Sequence, residues 1–388
     1  MNGGATAKLT EGLDAVVYFL RCLMIPYIAV LFWALFVSTA LRSPRDRLRW
    51  AGTGGPTSSA SVATLVVLAS LPLVLLHALR KDVGTDYVSY VRIYGAFSDG
   101  ASAWTYEPLY SALNITAMPL GAAGIVVVFG VSAALSTIPV VWRIFHSSES
   151  PGLSLIALFG MAYPFLQTNA VRSVIAIAIL FAALPAVWRG QPWRWFLAGV
   201  IAGGFHYTAL LILPFYWILR WNVNIIIGIV AFVCAMLLAI YKPIGLIFLK
   251  FAPMFLPETY TKYPTQAAAH FDEIVIGPGL AWYVLSALLV LFFWRRTGLL
   301  GISERVIRNS FFLGLVIIIA AYQFRHVGRL GWFFYIAGVL YWPLIVGQVV
   351  NRDRSLVLLA LIMVFSLLFW YASSIGAHDA VPYQWIVT

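Results

Sequence analysis

Apolar residues fill this chain in long runs, and the breaks between the runs are short and often rich in arginine. A helix needs about 20 apolar residues to cross a bilayer core, at about 1.5 Å each. Runs near 14–41, 61–80, 118–142, 152–168, 170–188, 195–205, 207–220, 223–241, 279–294, 310–322, 330–350 and 355–374 meet or approach that length. Of the 388 residues, 62% are hydrophobic and 10% charged, whereas soluble domains run near 25% charged. The pattern predicts an all-α polytopic integral membrane protein of about 12 transmembrane helices, a single membrane domain over residues 1–388. Met1–Lys8 is short and polar, and the apolar run after it exceeds a signal-peptide core, which reads as a retained first helix.

Net charge is +11, from 25 Lys and Arg against 14 Asp and Glu. In a membrane chain, basic loops orient helices and meet anionic lipid, so no nucleic-acid partner is expected. Cys22 and Cys234 lie far apart inside apolar runs, which supports neither a disulfide framework nor a cysteine metal site.

If the runs simply alternate, Arg42, Arg45, Arg47, Arg49, Arg143, Arg189, Arg194, Arg220, Arg295, Arg296, Arg305, Arg308, Arg352 and Arg354 all fall on one side. The positive-inside rule makes that side cytoplasmic and puts both termini outside. Trp195–Arg220 decides the pattern. As one span it would flip everything after it and place Arg295–Arg308 outside. Two short helices turning at Gly203-Gly204-Phe205-His206 keep the arginines inside, and this hairpin is the favoured reading. Helices that short cannot cross a core of about 30 Å. The hairpin therefore implies a turn recessed in the membrane, buried in protein or lining a cavity.

Two further segments fall on the outer face. Residues 84–116 mix aromatic and charged side chains, as juxtamembrane amphipathic helices do. Residues 242–278 carry five prolines and three lysines and read as a long loop or lid.

Five polar clusters interrupt the apolar sequence, and all fall on that same outer face: Gly84-Thr85-Asp86-Tyr87 with Tyr90; Glu107-Pro108-Leu109-Tyr110; Gln167-Thr168-Asn169 with Arg172; His206-Tyr207-Thr208; and Arg325-His326 with Arg329. Polar and charged groups at membrane depth are expensive unless paired or facing a wet cavity. Asp86 reads either as a carboxylate at a cavity mouth, with Tyr87 and Tyr90 flanking a sugar, or as a turn beside interface aromatics. Glu107 reads as an acid or as a helix start followed by Pro108. Asn169 is a natural N-cap, and Arg172 in the next first turn opposes the helix dipole, so it calls for an anion. His206 suits a general base or a donor to a diphosphate. Arg325 and Arg329, four apart, suit a diphosphate clamp or headgroup contacts. No zinc-protease helix motif, Walker loop or dinucleotide fingerprint is present, so no metal or cofactor is expected.

Gly-Thr-Asp-Tyr-x-x-Tyr, Glu-Pro-Leu-Tyr-x-x-Leu-Asn (107–114), Asn-x-x-Arg-x-x-x-Ala (169–176), His-Tyr-Thr-Ala (206–209) and a later Arg before Tyr341-Trp342-Pro343, in that order, resemble the EpsG-type exopolysaccharide polymerases, a Wzy-like group of bacterial membrane proteins. The resemblance covers most of residues 80–345. It implies a GT-C-like bundle with short and amphipathic outer-face helices, sited in the inner membrane with the active site facing the periplasm. It also implies a glycosyltransferase joining polyprenyl-diphosphate-linked oligosaccharide repeat units, and a flippase and a chain-length regulator as partners. Asp86, Glu107, Arg172, His206 and Arg325 are the positions it carries over, with Arg329 competing for the last match. Asp86 or His206, with Glu107 third, would serve as base; Arg172, Arg325 and Arg329, with Tyr87, Tyr90, Asn169, Tyr207 and His326, would bind substrate. A transferase adding a single sugar from a polyprenyl-phosphate donor and a lipid-linked glycan flippase are the rival readings, and a membrane acyltransferase is a further one.

Overall fold

A computed structural model describes residues 25–40, 59–100, 106–241, 277–322, 325–349 and 351–386. The start of the first apolar run, Cys22, Arg42–Arg49 and all but the end of the 242–278 lid lie outside those residues, as do the side chains of Arg325 and His326. Among the described residues the regular elements are helical, and one isolated antiparallel bridge joins Arg80 to Trp385.

In chain order the helices are α1 (Ile25–Ala40), α2 (Ser59–Ala78), α3 (Tyr87–Ser98), α4 (Pro108–Ala117), a 3-10 segment (Met118–Ala123), α5 (Gly124–Ser147), α6 (Pro151–Gly160), α7 (Tyr163–Asn169) and α8 (Val171–Trp188). There follow α9 (Pro192–Phe205), a 3-10 segment (Tyr207–Ile212), α10 (Phe215–Arg220), α11 (Ile225–Tyr241), α12 (Pro278–Phe292), α13 (Trp294–Leu300), α14 (Ile302–Ala320), α15 (Arg325–Tyr335), α16 (Gly338–Gly347) and α17 (Asn351–Ser374). Prolines fix several starts: Pro108, Pro151 and Pro278 each sit in a first turn, where the missing N–H would have no intrahelical partner.

Among the described residues, three helical stretches are long and apolar enough to cross a membrane: Pro108–Ser147, Val171–Trp188 and Arg352–Ser374. Counting each bent pair as one span, α12 with α13 at 60° and α15 with α16 at 43°, gives up to five. The 84–116 region forms two helices, α3 and α4. Helix α3 buries Tyr87, Tyr90, Tyr94 and Phe97 at helical spacing and exposes Val88 and Arg92 between them. The expected span at 118–142 begins earlier, because α4 joins α5 through the 3-10 segment. There the Tyr94 hydroxyl donates to the carbonyls of Ala117 and Gly121 at 3.1 and 2.8 Å. Forty helical residues would reach about 60 Å, far beyond the bilayer core, and the break at Gly121 divides them.

Trp195–Arg220 is not one helix. Trp195 Nε1 donates to the Leu213 carbonyl at 3.2 Å, across 18 residues. A straight helix would separate those residues by about 27 Å, so the chain reverses between them, at the Gly-Gly-Phe-His turn read from the sequence. A second departure concerns Arg308. The sequence assigns it to a basic loop, yet it lies inside α14, almost fully buried. Its guanidinium sits 4.0 Å from the Trp294 ring centroid and donates to the Trp294 carbonyl and the Asn309 side chain.

The chain divides into two compact units: Met1–Ala182 with Ala198–Leu210 and Trp342–Thr388, and Ala183–Leu197 with Leu211–Tyr341. In the first, one core gathers Tyr87, Tyr90, Tyr94, Tyr110, Phe129, Val171, Ile175 and Phe205, and a second gathers Tyr27, Leu73, Leu76, Phe159, Phe165 and Phe369. In the second unit, α14 packs against α10, α11, α12, α13 and α15. Trp282 Nε1 donates to the Tyr335 hydroxyl at 2.9 Å inside it.

Candidate functional site

Glu107 is the centre of the polar network in the first unit. It ends the segment before α4 with extended backbone (φ −58°, ψ 137°), and Pro108 starts the helix behind it. The carboxylate is 1% exposed. It does not cap α4. Instead one oxygen receives Arg172 at 2.5 Å and the other meets His206 Nδ1 at 3.0 Å. Arg172 projects from the first turn of α8, and His206 from the residue after α9. The two backbones close in at Gly204, where an added Cβ would stand 2.6 Å from the Leu109 side chain. Gly204 therefore lets the hairpin turn approach α4 and carry His206 to Glu107.

The cation expected to oppose its helix dipole thus finds its anion within the protein. Tyr106 and Tyr110 place their rings 5.7 and 5.8 Å from the Arg172 guanidinium, and Tyr90 also engages it. Burial pushes the Glu107 carboxyl up; the hydrogen bond from His206 and the charge of Arg172 outweigh this and hold it below the usual carboxylate range. With Glu107 anionic, His206 presents Nδ1–H to it, and a neutral ring then keeps its lone pair on Nε2. Arg172 and His206 are 19% and 23% exposed, so both are reachable from solvent while the carboxylate between them is sealed.

A second layer holds the Asp86 loop. Asn169 is not an N-cap. It ends α7, and its side chain ties two segments together: Oδ1 accepts from the Asp86 backbone N–H at 3.3 Å, and Nδ2 donates to the His378 carbonyl at 3.2 Å. The loop receives the chain's C-terminal segment as well, with Gly84 N–H donating to the Asp379 carbonyl and Thr85 N–H to that of His378. Gly84 has φ +100°, and a Cβ there would lie 2.7 Å from the Thr168 carbonyl. This position needs glycine for both reasons.

Four of the five clusters read from the sequence therefore meet in one unit: Asp86, Glu107, Asn169 with Arg172, and His206. Asp86 itself is half-buried and joins through its backbone. Tyr87 is buried and stacks on Phe129 at 5.4 Å, and Tyr90 is buried against Tyr110. Tyr207 is exposed. Arg325, His326 and Arg329 begin α15 in the second unit. Sequence reasoning missed three contributors. Arg80 is 1% exposed, lies 4.4 Å over the Phe129 ring and donates to the Gln167 carbonyl. Beside it His77 and Ser132, the second, line with Gln167 a small cavity of about 10 Å³, room for about one water. The tail residues His378 and Asp379 are the third. Arg80 at the end of an apolar run was the available signal; the tail gave none.

The chain matches the EpsG family over residues 63–385. It belongs to the EpsG family. That stretch takes in the Glu107–Arg172–His206 network, the Asp86 loop and most of the tail that closes over it. Membership supports an exopolysaccharide-polymerase type of role, and with it glycosyl transfer by a membrane-embedded EpsG protein. No curated protein and no solved structure matches the chain.

Proposed function

We propose that the protein joins oligosaccharide repeat units carried on polyprenyl diphosphate, at the outer face of the inner membrane. The observation that carries the reading is the sealed Glu107 carboxylate bridging a partly exposed arginine and a partly exposed histidine. His206 is the base. Its Nδ1 is oriented by Glu107, in the way a carboxylate orients a catalytic imidazole, and Nε2 takes the proton from an acceptor sugar hydroxyl. That oxygen bonds to the anomeric carbon of the growing chain, and the bond from that carbon to the diphosphate breaks. Arg172 neutralises the departing polyprenyl diphosphate, a role that electrostatics favour in a low-dielectric site. Glu107 is a positioning residue for both partners. Asp86 remains the alternative base, on a loop that Asn169 anchors.

The test is product analysis with the purified protein and a lipid-linked repeat unit. The expected product is a polymer ladder that persists in EDTA. A single sugar added from a polyprenyl-monophosphate donor, or transport without new glycosidic bonds, would overturn the polymerase reading; loss of the ladder on chelation would overturn metal-free transfer.

A further inference from the structure

The second unit holds a cleft lined by two tryptophans and Arg220, apart from the residues of the Glu107 network. Residues 150–257 contain no Asp or Glu, yet Arg189, Arg194 and Arg220 lie among them. Glu304 is the one acid among this unit's described residues. The three arginines are gathered at one end of the hairpin. Arg220 donates to the Val187 carbonyl and lies against Gly190, so Arg189 falls between the two residues it touches. Phe196 packs on Trp217 at 5.9 Å, which sets the first turn of α9, with Arg194, beside α10.

Trp193, Trp217 and Trp221 are each more than half exposed there. An open cleft of about 380 Å³ is lined by Trp217, Ile218, Arg220 and Trp221. Leu197 and Leu211, on the same hairpin, are also exposed. A fixed Arg220 guanidinium with two more arginines near it, amphipathic indoles and exposed aliphatic side chains match the three parts of a phospholipid: phosphate, interface and acyl chain. Arg220 is already oriented by the Val187 carbonyl, so little side-chain entropy is lost on binding.

We propose that this cleft binds the headgroup of an anionic phospholipid, independently of the glycosyl-transfer site. The protein is placed in nanodiscs of phosphatidylcholine containing a minority of phosphatidylglycerol, and retained lipid is counted by native mass spectrometry. Phosphatidylglycerol is expected to be enriched on the protein, and its apparent affinity to fall about fivefold for each of Arg189→Gln and Arg220→Gln. Arg189 is exposed, so its variant tests the site even if Arg220→Gln perturbs the turn. Unchanged enrichment in Arg189→Gln, or displacement of the lipid by millimolar inorganic phosphate, would overturn the proposal.

Discussion

At the residue scale, Glu107 shows how much of the site the sequence carried. Arg172 at a helix start demanded an anion, and the sequence supplied that demand. It could not supply the partner, because Glu107 lies 65 residues away from Arg172 and 99 from His206. Only packing of α4 against α8 and the hairpin turn brings them together. The lowered pKa of Glu107 has a direct consequence. Its ionic contribution to stability is complete above the unfolded-state value of about 4.3 and is lost as pH falls through the lower folded-state value. The stability advantage of the wild type over Glu107→Gln, measured by thermal unfolding in detergent, is therefore constant at neutral pH and shrinks only in strong acid. An advantage that vanished near pH 6 would assign the effect to another group. Gly84→Ala should lower stability by roughly 1–3 kcal/mol, because it places a Cβ at positive φ and against a carbonyl; an unchanged unfolding midpoint would contradict the close approach at Thr168.

At the element scale, the hairpin at 195–220 was legible because charge patterning demanded it, and the reversal appears where glycines allow it. The early start of α14, which buries Arg308, was not legible: an arginine near the end of an apolar run reads as a loop residue until Trp294 and Asn309 are seen to enclose it. The C-terminal segment was equally silent. Its backbone carbonyls hold Gly84 and Thr85, and the Tyr383 hydroxyl donates to the Leu76 carbonyl. Backbone contacts of this kind leave almost no side-chain signature. Ending the chain after Ser374 should release the Asp86 loop and depress polymer formation at least tenfold in protein that still inserts and keeps its helical content. Full activity of such a truncation would show that the tail has no part in forming the site.

At the scale of the whole molecule, the runs of apolar sequence gave the helical class and the ordered motifs gave the family. The number of spans and the sidedness rest on charge counting, since among the described residues length and composition alone mark three to five candidate spans. Sidedness is open to a direct check. With Cys22 and Cys234 replaced by serine, Tyr207→Cys should react with a membrane-impermeant maleimide in intact cells, because Tyr207 is exposed beside His206. Labelling only after the membrane is breached would move the site to the cytoplasmic face.

We propose that the glycosidic bond forms at the Glu107–Arg172–His206 network. It is tested most directly by His206→Ala and Arg172→Ala proteins, inserted at wild-type level and supplied with purified lipid-linked repeat units, with chain length read on a gel. Each variant is expected to lose the ladder, with rates down by roughly 10² or more. A ladder of normal length and rate from either one would contradict it.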